Sequence, residues 1–128
     1  MSKPTVAIVG SSADRSKFGN KSVRAHLQSG WEVFPVNPRG GEIEGLPVYR
    51  SMEEVPATKL NRVSMYVIPA VGLQVLEQLA TKGCEELWLN PGSESPDLFQ
   101  RALELELNPI LGCSIISLGV RPTDFPDT

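Results

Sequence analysis

Three features of the sequence predict a doubly wound α/β domain, built on a parallel five-stranded sheet with helices on both faces. Apolar, β-favouring runs of about five residues alternate with helical patterns of about 12 residues, the signature of repeated strand–helix–strand units. Glycine and proline, 11 of each in 128 residues, stand at nearly every junction between those runs. The first run, Thr5–Val9, is apolar without alternation after its first residue, as suits a strand buried on both faces. At this length the whole chain, residues 1–128, reads as a single domain around one core.

Taken in order, Gly10 ends the first strand and opens a polar turn, Ser11 to Asn20. Asn20 reads as a helix cap, with Val23 and Leu27 as an i, i+4 stripe and Gly30 as the stop. Trp31–Asn37 is the second strand, with Pro35 tolerable where no partner needs its missing donor. Residues 38–45 read as loop, Leu46–Tyr49 as a brief extended piece, and Ser51 as the cap of a short helical turn. Arg62–Ile68 is the third strand, stopped by Pro69, and Val71–Lys82 a helix with Leu73, Leu76 and Ala80 inward. Glu86–Asn90 is the fourth strand. Ser95-Pro96 is a cap-then-proline helix start, and Leu98, Ala102 and Leu105 line the buried face up to Asn108. Pro109–Gly112 is the fifth strand, and residues 115–128, with Pro122 and Pro126, read as surface coil.

The charge balance, 12 Lys and Arg against 15 Asp and Glu, argues against a nucleic-acid partner. No run approaches the roughly 18 apolar residues of a membrane span. The N-terminus lacks the layout of a signal peptide, so the expected location is the cytoplasm. The two cysteines, Cys84 and Cys113, cannot form a metal cluster, and a homodimer is left open.

Doubly wound sheets bind ligands at the carboxyl ends of their strands. The segments expected to converge there are residues 10–20, 37–41, 69–72, 90–93 and 112–114. The first of them, a strand–turn–helix, is an anion site: unpaired amides and the helix dipole point at one spot. The dinucleotide fingerprint requires two further glycines and an acid after the second strand. Here the turn reads Gly10-Ser-Ser-Ala-Asp-Arg, and the second strand ends in Asn37 followed by Arg39. NAD is thereby disfavoured, and a ribose that itself carries a phosphate is favoured, which fits both NADP and coenzyme A (CoA).

Val9-Gly-Ser-Ser12, Val33-Phe-Pro-Val-Asn-Pro38 with Gly45-Leu-Pro-Val-Tyr49, Val67-Ile-Pro-Ala70 and Leu87-Trp-Leu-Asn-Pro-Gly92 occur in that order. In these blocks the sequence resembles the small stand-alone CoA-binding proteins related to the succinyl-CoA synthetase α chain. The resemblance implies a Rossmann-like fold that binds CoA or an acyl-CoA. It places the diphosphate on Gly10, Ser11 and Ser12, with Lys17 behind them. The adenosine falls between Val36, Asn37, Pro38 and Arg39 on one side and Ile68 and Pro69 on the other. The pantetheine arm runs past Asn90, Pro91 and Gly92 towards Cys113. The phosphorylated-histidine segment of the synthetase is absent, so recognition without catalysis is expected. An NADP-dependent reductase is disfavoured by the lack of a Tyr-x-x-x-Lys pair; a CoA-linked redox sensor would use Cys113. His26, the single histidine, reads as a partly exposed structural residue.

Overall fold

A computed structural model describes residues 3–128. Strands β1 (Thr5–Val9), β2 (Glu32–Val36), β5 (Leu60–Met65), β6 (Cys84–Leu89) and β7 (Pro109–Leu111) form one sheet in the order β2-β1-β5-β6-β7. Every neighbouring pair in that sheet is parallel. Helix α1 (Phe18–Gln28) covers one face together with the short α4 (Ser114–Ser117), and α2 (Pro69–Leu79) and α3 (Pro96–Glu104) cover the other. The predicted five-stranded α/β architecture is therefore present.

The period-two alternation of a strand sends its residues to two different cores. Val6 and Ile8 pack with Val23 and Val33 beneath α1. Ala7 and Val9 join Val63, Met65, Leu87 and Leu89 against Leu76, Leu79 and Leu98 on the α2–α3 face. This is why Thr5–Val9 shows no polar alternation. Pro35 sits in β2, an edge strand, where its missing N–H leaves no ladder bond broken.

Several boundaries differ from the sequence reading. Pro69 does not stop a strand; it is the first residue of α2, where its fixed φ and absent N–H suit a helix start. Helix α1 begins two residues before Asn20, whose side chain donates to Ser12 O (2.9 Å) and Glu44 Oε2 (3.1 Å) rather than capping. Glu42–Ile43 (β3) and Leu46–Pro47 (β4) form a small antiparallel hairpin within a stretch expected to be mostly loop. Residues 115–128 are only in part surface coil. Ile115 and Phe125 are buried against Ala25 of α1, Pro122–Asp124 forms a 3-10 turn, and Lys21 pairs with Asp127 at 2.6 Å.

His26 is fully buried, not partly exposed. Its Nδ1–H donates to the Ser22 carbonyl (2.8 Å), and its Nε2 accepts from Arg62 Nη1 (3.2 Å). Burial first, and then the Arg62 charge, push its pKa down to about 4, while the Ser22 contact opposes them. A base depressed in the folded state takes up its proton first in the unfolded chain. Its contribution to stability is therefore complete above the ordinary histidine pKa of 6.5 and drains away as the pH falls towards about 4. The expected loss over that window is on the order of 3 kcal/mol. Urea titrations at pH 7 and pH 4.5 check this; in His26→Gln the wild type's loss between those two pH values should largely disappear.

Candidate functional site

The chain leaves β1 through α1 to β2 on one side, then returns past β1 to β5 on the other, so the strand order reverses at β1. At the carboxyl ends of β1 and β5 lies a cleft of about 530 Å³. Two glycines shape it. Gly10 adopts φ +87°, and a Cβ there would lie 2.6 Å from the Tyr66 carbonyl oxygen. Gly19, in the first turn of α1, lies so close to β1 that a Cβ would stand 2.2 Å from the Gly10 carbonyl oxygen. The helix N-terminus is thereby brought against the sheet rim.

The donors left unpaired at the cleft are not those expected. The amides of Gly10 and Ser11 both donate to Val36 O, at 3.1 and 3.2 Å, and are not available to a ligand. Ser11 is fully buried, and its hydroxyl donates to Ile8 O. The available donors are shifted downstream: the amides of Ser12, Phe18 and Gly19 have no acceptor among the described residues. Lys17 Nζ and the Arg39 guanidinium likewise have no hydrogen-bond or ion-pair partner among the described residues, and both line the cleft.

Of the residues proposed from sequence, Gly10, Ser11, Ser12, Lys17, Asn37, Arg39, Ile68, Pro91 and Gly92 line this cleft. Asn37 does so as a brace: its Nδ2 donates to Ser11 O (2.7 Å), and its Oδ1 accepts from the Arg39 amide (2.8 Å). Val36 and Pro38 line a second, smaller crevice of about 140 Å³, walled also by Val67, Val71 and Met52. It shares Gly10 and Val67 with the cleft, so the two adjoin.

Pro69, Asn90 and Cys113 line neither. Asn90 is buried, donating to Ser64 Oγ and Met65 O (both 2.8 Å) and accepting from Ser114 N (2.9 Å). Its side chain ties three strand ends together, with both amide protons already used. Cys113 precedes α4 and packs towards Ile115 and Ala25. The other thiol, Cys84, is pushed up to about 12 by burial and by Glu86, and is an inert core residue.

The sequence reading missed Phe18, Gly19, Tyr66, Val67 and Ser93 in the cleft and Arg50 at the crevice. Gly19 left a signal, a glycine placed just inside the first helix and nine residues after Gly10. The Tyr66 hydroxyl bonds Ser114 Oγ at 3.1 Å, and burial, outweighing that contact, raises its pKa. Arg50 Nη1 lies 3.4 Å from the Pro38 carbonyl, on the same loop that carries Arg39.

A parallel doubly wound sheet with an anion-receptive turn at its switch point defines a Rossmann-like nucleotide-binding domain. More narrowly, the chain belongs to the CoA-binding domain family, which matches residues 4–119. It is 39% identical over 88 residues to the α subunit of an ADP-forming acetate–CoA ligase I of Pyrococcus furiosus. That match takes in 62% of this chain and 18% of the ligase subunit, so the chain spans under a fifth of that relative. A conserved hypothetical protein of P. furiosus superimposes with a TM-score of 0.79 at 33% identity, covering 91% of this chain and 99% of that one. The dinucleotide-forming acetyl-coenzyme A synthetase 1 of Ca. Korarchaeum cryptofilum, in complex with phosphate and ADP, gives 0.72 at 26% identity, covering 83% of this chain and 25% of that one. No helix among the described residues is long and apolar enough to cross a membrane.

Proposed function

We propose that this domain binds CoA or an acyl-CoA and recognises it without transforming it. The observation that carries the reading is the cluster of unpaired donors at the cleft: the amides of Ser12, Phe18 and Gly19 beside the free cations of Lys17 and Arg39. Amides at a helix N-terminus suit a diphosphate, and a planar guanidinium suits the 3′-phosphate of the ribose. The apolar crevice next to Gly10, walled by Val36, Pro38 and Val67, takes the adenine ring. The pantetheine arm then crosses Tyr66, Pro91 and Gly92. Recognition alone is favoured because the polar side chains nearest the rim, Ser11, Asn37 and Asn90, spend their hydrogen bonds on the fold itself. The single histidine is locked in the layer beneath α1.

Calorimetric titration tests the proposal. CoA should bind about 10- to 100-fold more tightly than dephospho-CoA, the worth of one charge-assisted phosphate contact. Arg39→Ala should bring the two affinities together. NADPH, which carries its extra phosphate at the 2′ position, should bind more weakly than CoA. An NADPH complex tighter than that with CoA would overturn the proposal in favour of a reductase-like role.

A further inference from the structure

We propose that the ligand is an acyl-CoA whose acyl group is apolar and uncharged, and that this group lodges in a second hollow on the same rim. This rests on the CoA reading above and extends it to the far end of the ligand. The hollow, about 560 Å³, lies between the start of α3 and the end of β7, and is lined by Ser95, Pro96, Phe99 and Leu111 with Glu94 at its lip. Leu111, the last residue of the edge strand β7, is a large apolar side chain left 60% exposed. Exposed apolar surface gathered in a concavity is a recognition feature.

The sheet order dictates how the two hollows relate. Going along the rim, the cations come first: Arg39 follows β2, and Lys17 lies in the turn after β1. The next segments, Tyr66–Ile68 after β5 and Pro91–Ser93 after β6, carry no charge. The apolar hollow comes last, at β7. Ser93 lines the cleft and the next residue, Glu94, lines the hollow, so one short segment borders both. From β1 to β7 is three strand spacings, about 14 Å. A pantetheine arm, from diphosphate to sulfur, is roughly as long as four extended residues, also about 14 Å. A ligand anchored by its diphosphate at α1 thus delivers its thioester to the hollow.

The lip sets the sign of the acyl group. Glu94 Oε2 accepts from the Gly92 amide at 2.8 Å, which holds a carboxylate where the acyl chain enters. An acyl group ending in its own carboxylate meets like charge there, whereas a plain hydrocarbon meets Phe99 and Leu111.

Calorimetry with CoA, butyryl-CoA and succinyl-CoA decides the matter. Butyryl-CoA should bind about tenfold more tightly than CoA, as partial burial of three carbons provides, and succinyl-CoA no more tightly than CoA. Leu111→Asp, at a 60% exposed site, should erase the butyryl advantage while CoA itself still binds. Glu94→Gln should narrow the gap between butyryl- and succinyl-CoA. If CoA binds but butyryl-CoA gains nothing, or the gain survives Leu111→Asp, the acyl site is overturned and the CoA reading stands. If neither CoA nor its thioesters bind, both fall.

Discussion

Replacing Arg62 by alanine should cost about 3 kcal/mol of stability, read as a lower urea midpoint at an unchanged slope. Arg62 is only 7% exposed, although it is a charged residue in a central strand. It donates through Nε to Glu86 Oε1 (3.0 Å), with Nη2 also 2.9 Å away, and through Nη1 to Ser117 Oγ (3.0 Å) and His26 Nε2. Its guanidinium lies 4.6 Å from the Trp31 ring centroid and 5.0 Å from that of Trp88. Burial alone would raise the pKa of Glu86, but hydrogen bonds from Trp88 and Arg62 hold it below the usual carboxylate range. Removing the arginine leaves the buried His26 Nε2 without a donor and takes from Glu86 its countercharge, although Trp88 Nε1 still donates to that carboxylate (2.9 Å) and the Ser117 hydroxyl still donates to Ser114 O. Glu86 keeps some contact with water, which places the cost at the lower end of the range for a broken buried pair. Arg62→Met, which keeps an apolar stem between the two indoles, should recover part of the loss.

Gly19→Ala should be at least as damaging and should also abolish CoA binding. In an exposed helix this exchange stabilises by about 1 kcal/mol, so intrinsic propensity predicts a gain. The new methyl would stand 2.2 Å from the Gly10 carbonyl oxygen, and backbone cannot yield as a side chain can. Either α1 lifts from the sheet or the Gly10 turn deforms, and each displaces the Phe18 and Gly19 amides. The expected cost exceeds about 3 kcal/mol, the upper end of ordinary overpacking. Gly72→Ala is the comparison. Its nearest neighbour is Leu98 Cδ1 at 2.6 Å, the end of a side chain that can rotate aside. Thermal unfolding of both variants should show Gly72→Ala as the milder, with CoA affinity retained.

Strand and helix existence was legible because the apolar runs and their punctuation are local properties. Ser95-Pro96 illustrates this: Ser95 Oγ accepts from Leu98 N at 3.1 Å, and Pro96 is the first helical residue, as the pair predicts. Pro69 was harder, since a proline that ends one element and a proline that opens the next look alike in sequence. The anchoring of the tail is not legible because Ile115 and Phe125 are too sparse to show periodicity; only the neighbouring face of α1 shows that they are buried. At the site, the strand-end loops could be located from topology, but not how each group is used. The exit of β2 brings Val36 O onto the Gly10 and Ser11 amides. Asn90 is consumed by Ser64, Met65 and Ser114, partners from 24 to 26 residues away. No spacing rule encodes either arrangement.

Both tryptophans of the chain, Trp31 and Trp88, rest on the same guanidinium, and neither lines the cleft. Intrinsic fluorescence is therefore a private gauge of the layer beneath α1. It will follow acid titration and unfolding with high contrast, and will stay nearly silent when a nucleotide docks at the rim. An optical binding assay for this domain needs a fluorophore of its own, carried by the ligand.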